Sequence, residues 1–296
     1  MSSISRLASL RARIELPVVR GASGLLEGRH RSIFSGHGQD FDELVEYRPG
    51  DDPKDIDWKT SARAGHPVIK RFQKETNLSM VLAVDTGRSM AALTPTGETK
   101  AEVALLLAEV IAYLARWRGD QVGLVAGDAE RLQQMPPRQG TRHLELLLRR
   151  LEADMGLDAP PSDMSRVLHR VLTASARRSL IVVITDEARP GPDAEMDLRR
   201  LRTRHEVIVM AVADMRPTEL LDHTGLVVDV DGGPLPQFVR HDRAIRQEAE
   251  EATAARRAAV RAMLRRRGVE VGVATGTADA VDALVDLLRR QRHARH

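Results

Sequence analysis

Two aspartates stand at the ends of the two most apolar runs in the chain, and their surroundings suggest a cation site. Val81-Leu82-Ala83-Val84 runs into Asp85, with Ser89 four residues on. Ser179-Leu180-Ile181-Val182-Val183-Ile184-Thr185 runs into Asp186. A continuous apolar run of this length is expected of a strand buried on both faces. In a parallel sheet both runs would deliver their carboxylates to the same rim. Two carboxylates and a hydroxyl are hard oxygen donors suited to Mg²⁺ or Mn²⁺. The same spacing also allows Asp85 and Asp186 simply to cap the helices that follow, and spacing alone leaves both readings open.

These residues need a scaffold, and the rest of the chain supplies one. After residue 78 strands and helices alternate. Helices are expected over Lys100 to Arg118, Thr141 to Ala153 with a threonine cap, Ser162 to Ala176 opened by Ser162 or Asp163, and Ala194 to Arg204. Further helices are expected over Arg240 to Arg267 and Ala278 to Arg290. Strands are expected at Gln121 to Ala126, Glu206 to Ala213, Leu226 to Val230 and Val269 to Val273. Such alternation implies an α/β fold with a doubly wound, mostly parallel sheet, in which ligands sit at the carboxyl ends of strands where strand order reverses. The boundaries are an N-terminal annex, 1–76, and an α/β domain with a C-terminal helical extension, 77–296.

The annex differs in kind. It holds Phe34, Phe41, Tyr47, Trp58 and Phe72, five of the chain's eight aromatic residues, among Gly, Pro and Asp. Turns, short strands and one helical turn around a small aromatic core are expected there. Asp51 or Asp52 is a candidate cap for the segment before Ile56. The dense charges around Trp58 read as an ion-pair network that ties the annex to the sheet.

Composition removes several classes of function. With no cysteine there are no disulfides, thiolate metal sites or cysteine nucleophiles. The phosphate-binding loop, the dinucleotide fingerprint, H-E-x-x-H and the G-x-S-x-G elbow are all absent. The N-terminus lacks an apolar signal core, and the run from Val103 to Ala115, broken by Glu109, is too short to span a bilayer. A cytoplasmic protein is expected. Net charge is +3, and arginines concentrate at Arg256 to Arg267 and Arg289 to His296. A solvated helix face accounts for them better than nucleic acid, because no aromatic side chain is interleaved for stacking.

The pattern of apolar strand, D-x-x-x-S, helix and later strand ending T-D resembles the von Willebrand factor A fold. Those domains hold a divalent cation with a D-x-S-x-S loop, a hydroxyl from a second loop and an aspartate from a third, and the cation takes an acidic group from a partner protein. The resemblance assigns Asp85 and Ser89 to the first loop, Ser162 to the second, with Thr141 as the alternative, and Asp186 to the third. Gly87 stands where the first serine belongs, removing one ligand of the expected Mg²⁺ or Mn²⁺.

The annex extends the resemblance. Gly36, Gly38, Asp40, Phe41, Glu43, Tyr47, Gly50, Asp51, Asp52, Ile56, Asp57, Trp58, Ser61, Ala62 and Arg63 fall at the spacing of a bacterial family catalogued as domain of unknown function 58. Val45 and Lys54 depart from its usual arginines. Many members carry two membrane helices ahead of this signature, so this chain is similar to the short soluble form. The resemblance implies a non-enzymatic interaction module that works with a MoxR-type AAA+ ATPase in maturing or remodelling client proteins. Asp51, Asp52, Asp57, Trp58 and Arg63 would form its interaction signature. Two other readings are a metal-dependent hydrolase at the same rim, with His143 or His169 as base, and a nucleic-acid binder through the arginine helix.

Overall fold

The computed structural model describes residues 35–48, 53–73, 79–215, 228–230, 232–234 and 242–293. They belong to two units, one within Gly24–Asn77 and one within Leu78–His296.

In the first unit, β1 (Ser35–Glu46) pairs antiparallel with β2 (Val68–Gln73), Glu46 opposite Val68, with a register shift between Phe41 and Glu43. A short helix, α1 (Trp58–Ala64), lies between them in sequence. Asp57 caps it, accepting from the Lys59 and Thr60 amides at 3.1 and 3.2 Å, and Gly65 ends it in the left-handed region at φ 76°. Trp58, the first residue of α1, is 70% exposed, so the expectation that it packs in an aromatic core is corrected; among the described residues of this unit the buried apolar side chains are Val68 and Ile69. Phe34, Asp51, Asp52 and the side chains of Phe41 and Phe72 lie outside the described residues.

In the second unit, six strands form one sheet. They are β3 (Ser79–Asp85), β4 (Gln121–Gly127), β5 (Leu132–Arg138), β6 (Leu180–Asp186), β7 (Glu206–Val212) and β10 (Glu270–Ala274), in the order β10-β7-β6-β3-β4-β5. A separate two-stranded ribbon joins β8 (Val228–Asp229) to β9 (Gly233–Pro234). Every pairing in the large sheet is parallel except β4 with β5. The doubly wound, mostly parallel α/β fold is therefore the observed one. Edge strand β5 has no counterpart in the sequence reading. Its residues, Leu-Gln-Gln-Met-Pro-Pro-Arg, lack an apolar run, and two prolines are tolerated only because it is an edge.

Helices cover both faces. One face packs α2 (Lys100–Arg118), α3 (Thr141–Asp154) and α7 (Ala280–His293). The other packs α4 (Met164–Ala174), α5 (Glu195–Arg204) and α6 (Arg243–Arg266). There Val81, Ala83, Ile181, Val183, Val207 and Val209 meet Val167, Leu198, Val260 and Leu264 in one core. The alternate residues Leu82, Val84 and Val182 are also buried, which is why β3 and β6 read as unbroken apolar runs. Each such side chain contributes roughly 1.5–3 kcal/mol of burial. Among the described residues, no helix is long and apolar enough to cross a membrane.

Candidate functional site

Strand order reverses between β3 and β6. From β3 the chain winds outward through β4 and β5, and from β6 through β7 and β10. This is the position at which doubly wound sheets open a crevice. Val84 lies opposite Ile184 in the parallel ladder, so Asp85 adjoins Thr185, with Asp186 one residue further out. The Thr185 hydroxyl donates to Asp85 Oδ2 at 3.0 Å.

Each aspartate also turns its own backbone. The Gly87 amide donates to Asp85 Oδ1 at 2.9 Å, and the Ala188 amide to Asp186 Oδ1 at 2.8 Å. Neither carboxylate caps a following helix. α2 is capped by Thr99 in a reciprocal pair with Glu102, and α5 starts at Glu195. The capping reading of Asp85 and Asp186 thus gives way to tight turns that hold the carboxylates at the rim.

Ser89 follows in a single 3₁₀ turn, Arg88–Ala91. Its hydroxyl lies 3.2 Å from Asp186 Oδ2 and 2.6 Å from the Ser162 hydroxyl. Ser162 reaches the site because Asp163, not Ser162, caps α4, accepting from the Arg166 amide at 3.0 Å. Its loop is pinned by the Arg88 amide on Pro160 O and the Ala129 amide on Pro161 O. Asp85, Ser89, Ser162 and Asp186 therefore converge from three loops. Thr141 does not join them. β5 runs antiparallel and ends with Arg138 opposite Val122, near the start of β4. That places Thr141 at the opposite end of the sheet from Asp85, where it opens α3 after Gly140 without a side-chain cap.

Gly87 has a steric reason. A Cβ at this position would stand inside contact distance of Ser162 Cα and Oγ, and 2.5 Å from the Ser162 amide nitrogen. The second loop occupies the volume that a serine side chain would need.

The cluster is closed by cations that the sequence reading did not single out. Arg189 Nη1 donates to Asp186 Oδ2 and lies 3.5 Å from Ser89 Oγ. Lys100 Nζ is 4.0 Å from Asp186 Oδ2 and is hydrogen bonded to Asp214 Oδ1. Lys100 is the first residue of α2 and is buried, although a cation at a helix N-terminus opposes the macrodipole. That misplacement was a readable sign of a buried acidic partner. Arg189 gave a weaker one, three residues beyond Asp186. Asp85, Ser89 and Asp186 are buried, whereas the Arg189 and Asp214 side chains are 27% and 29% exposed. Burial pushes Asp85 up to about 6, the Asp186 charge adds to this, and the Gly87 amide, Ser162 and Arg189 partly offset it.

The donor chemistry of these four residues suits a hard divalent cation, but their arrangement does not. Asp186 Oδ2 already holds a guanidinium, the two serine hydroxyls bond to each other, and the position of the missing ligand is filled by backbone. With Arg189 in this place the set does not fit Mg²⁺ or Mn²⁺.

The candidate bases lie elsewhere. His143 Nε2 is 2.8 Å from Val122 O, and His169, on α4, pairs with Asp197 at 3.3 Å. The arginine run is more than a solvated face. Arg257 and Arg261 both reach Glu187 at 3.0 Å, and Arg267 reaches Glu195 at 2.7 Å.

Two relatives, uncharacterized proteins of Mycobacterium bovis and Mycobacterium tuberculosis, are each 30% identical over 266 residues, covering 88% of this chain and 82% of the relative. Among solved structures, an aerotolerance-related membrane protein from Bacteroides fragilis is similar at 13% identity and a TM-score of 0.44, over 72% of this chain and all of that one. A von Willebrand factor type A protein from Catenulispora acidiphila is similar at 15% identity and a TM-score of 0.40, over 76% of this chain and 44% of that one. The family model described as "Protein of unknown function DUF58" matches residues 43–259, and the chain belongs to that family.

Proposed function

We propose that the chain is a non-enzymatic protein-interaction module whose strand-end rim is a recognition surface. The observation that carries this reading is the convergence of Asp85, Ser89, Ser162 and Asp186 from three separate loops at the strand-order reversal, with Arg189 and Asp214 reaching the surface beside them. A protein assembles so many loops at one rim at a cost in buried polar groups, and such sites concentrate function. The partner we propose is a MoxR-type AAA+ ATPase, acting with this chain on client proteins. The partly exposed charged groups beside the cluster are Arg189 and Asp214.

The test is capture from the native cell extract with the tagged chain in three forms: wild type, Arg189→Ala and Trp58→Ala, each checked for folding by circular dichroism. The expected result is an AAA+ ATPase held by wild type and Trp58→Ala and lost from Arg189→Ala. Loss from Trp58→Ala alone would move the contact to the signature segment around α1. Absence of any ATPase from the wild-type lane would overturn the proposed partner.

A further inference from the structure

The rim contains the parts of a cation site and also contains cations. Asp186 Oδ2 accepts from Arg189 Nη1 and stands 3.2 Å from the Ser89 hydroxyl, and the same guanidinium nitrogen lies 3.5 Å from Ser89 Oγ. Arg189 thus bridges a carboxylate of the third loop and a hydroxyl of the first, the two groups that a bound ion at this rim would have to join.

The charges support the same reading. Asp85, Asp186 and Asp214 face Lys100 and Arg189. With all three carboxylates ionised, this group carries one net negative charge. Adding a divalent ion would leave one net positive charge in a largely buried site, which is costly. Removing the Arg189 charge would leave two negative charges, the balance that a divalent ion neutralises. Lys100 does not fill the same role. Its ammonium is hydrogen bonded to Asp214 and stands 4.0 Å from Asp186.

The steric argument is independent of charge. Ser162 sits against Gly87 so closely that no Cβ fits between them. The first and second loops therefore approach at a spacing set by direct contact between Gly87 and Ser162.

We propose that the Arg189 guanidinium is a tethered cation standing in the place of a divalent metal, so that the rim is held together and works without one. This stands whether or not the rim contacts an ATPase, because it is read from metal binding alone.

The experiment is Mn²⁺ titration by isothermal calorimetry at constant ionic strength, with thermal unfolding of the same samples in Mn²⁺ and in Mg²⁺. The chains are wild type, Arg189→Gln, Arg189→Lys, Asp186→Asn and the double variant Arg189→Gln/Asp186→Asn. Wild type and Arg189→Lys are expected to show no saturable one-to-one binding and no metal-dependent rise in Tm. Arg189→Gln is expected to bind Mn²⁺ at least roughly tenfold more tightly than wild type, from the loss of one adjacent positive charge, and the double variant to lose that gain. One-to-one Mn²⁺ binding by wild type that Asp186→Asn abolishes would overturn the proposal, and this arm needs no Arg189 variant to fold. A folded Arg189→Gln chain that binds no more tightly than wild type would overturn it equally.

Discussion

The two ends of the central sheet bury polar groups in opposite ways. At the carboxyl ends of the strands, Asp85 and Asp186 are buried side by side and offset by hydroxyls, amides and cations. At the amino ends, His205 and Glu206 are buried at the start of β7. The Ser179 amide donates to His205 Nδ1 at 3.3 Å, the Ser179 hydroxyl reaches Ser79 Oγ at 3.1 Å, and Arg178 lies 3.7 Å from Glu206. His205 Nε2 makes no hydrogen bond among the described residues. Burial, then Arg204 and Arg178, hold His205 below its ordinary value. The upper rim is therefore one network in which carboxylates, hydroxyls and cations share partners, while the lower one sets its buried carboxylates in separate pairs, Asp120 with Arg118 and Glu206 with Arg178. The lesson is that burial alone does not mark a candidate site. Convergence of charge from separate loops does.

The sharpest way to break this contrast is Gly87→Ser. It would put a serine at the middle position of a D-x-S-x-S loop, yet its Cβ overlaps Ser162. We expect a loss of about 3 kcal/mol in urea unfolding and no gain of Mg²⁺-dependent stability. A variant as stable as wild type would show that the second loop yields easily.

Next comes Asp85→Asn. The folded carboxyl titrates at about 6 against an ordinary 3.8, so between those values the folded state binds the extra proton. Stability should fall as pH rises across that window and level off above about 6. The asparagine removes the charge while still accepting the Gly87 amide. It should be more stable than wild type at pH 7 by up to roughly 3 kcal/mol, with the slope between pH 4 and 6 flattened. An unchanged slope in chemical unfolding across pH would remove Asp85 as its source.

Glu187→Gln should cost about 2 kcal/mol, because Arg257, itself only 13% exposed, loses its ionic partner together with Arg261. Guanidinium unfolding would check this, and a neutral outcome would return those arginines to the status of a solvated face.

The smallest effect is at the lower rim, with the opposite sign. His205 held below its ordinary value of 6.5 gives stability that is full above that value and is lost as pH falls through it. His205→Asn should remove that acid-side loss and leave the Asp85 slope intact. Thermal unfolding of the single and double variants from pH 5 to 8 would separate the two ends of the sheet.

Much of the fold was legible because burial on both faces leaves a periodic mark. β3, β6 and β7 are apolar runs, and α2 and α5 follow or precede them at the lengths a crossover requires. β5 was not legible, since an edge strand needs neither an apolar run nor freedom from proline. Trp58 shows the reverse failure. An aromatic residue suggested a packed core, whereas its position at the start of an exposed helix left it in solvent.

Local chemistry, written in the chain itself, determined that carboxylates would end the two buried strands, that Ser89 would lie in the first turn after Asp85, and that a doubly wound sheet would carry them. Tertiary structure decided which hydroxyl joins them, because Thr141 begins α3 and Ser162 stands just before the cap of α4, and the antiparallel run of β5 separates them to opposite ends. It also decided that Gly87 is a packing residue and that Lys100 and Arg189 close the site. Those facts depend on distances between segments far apart in sequence, and a linear pattern has no term for the space between two loops.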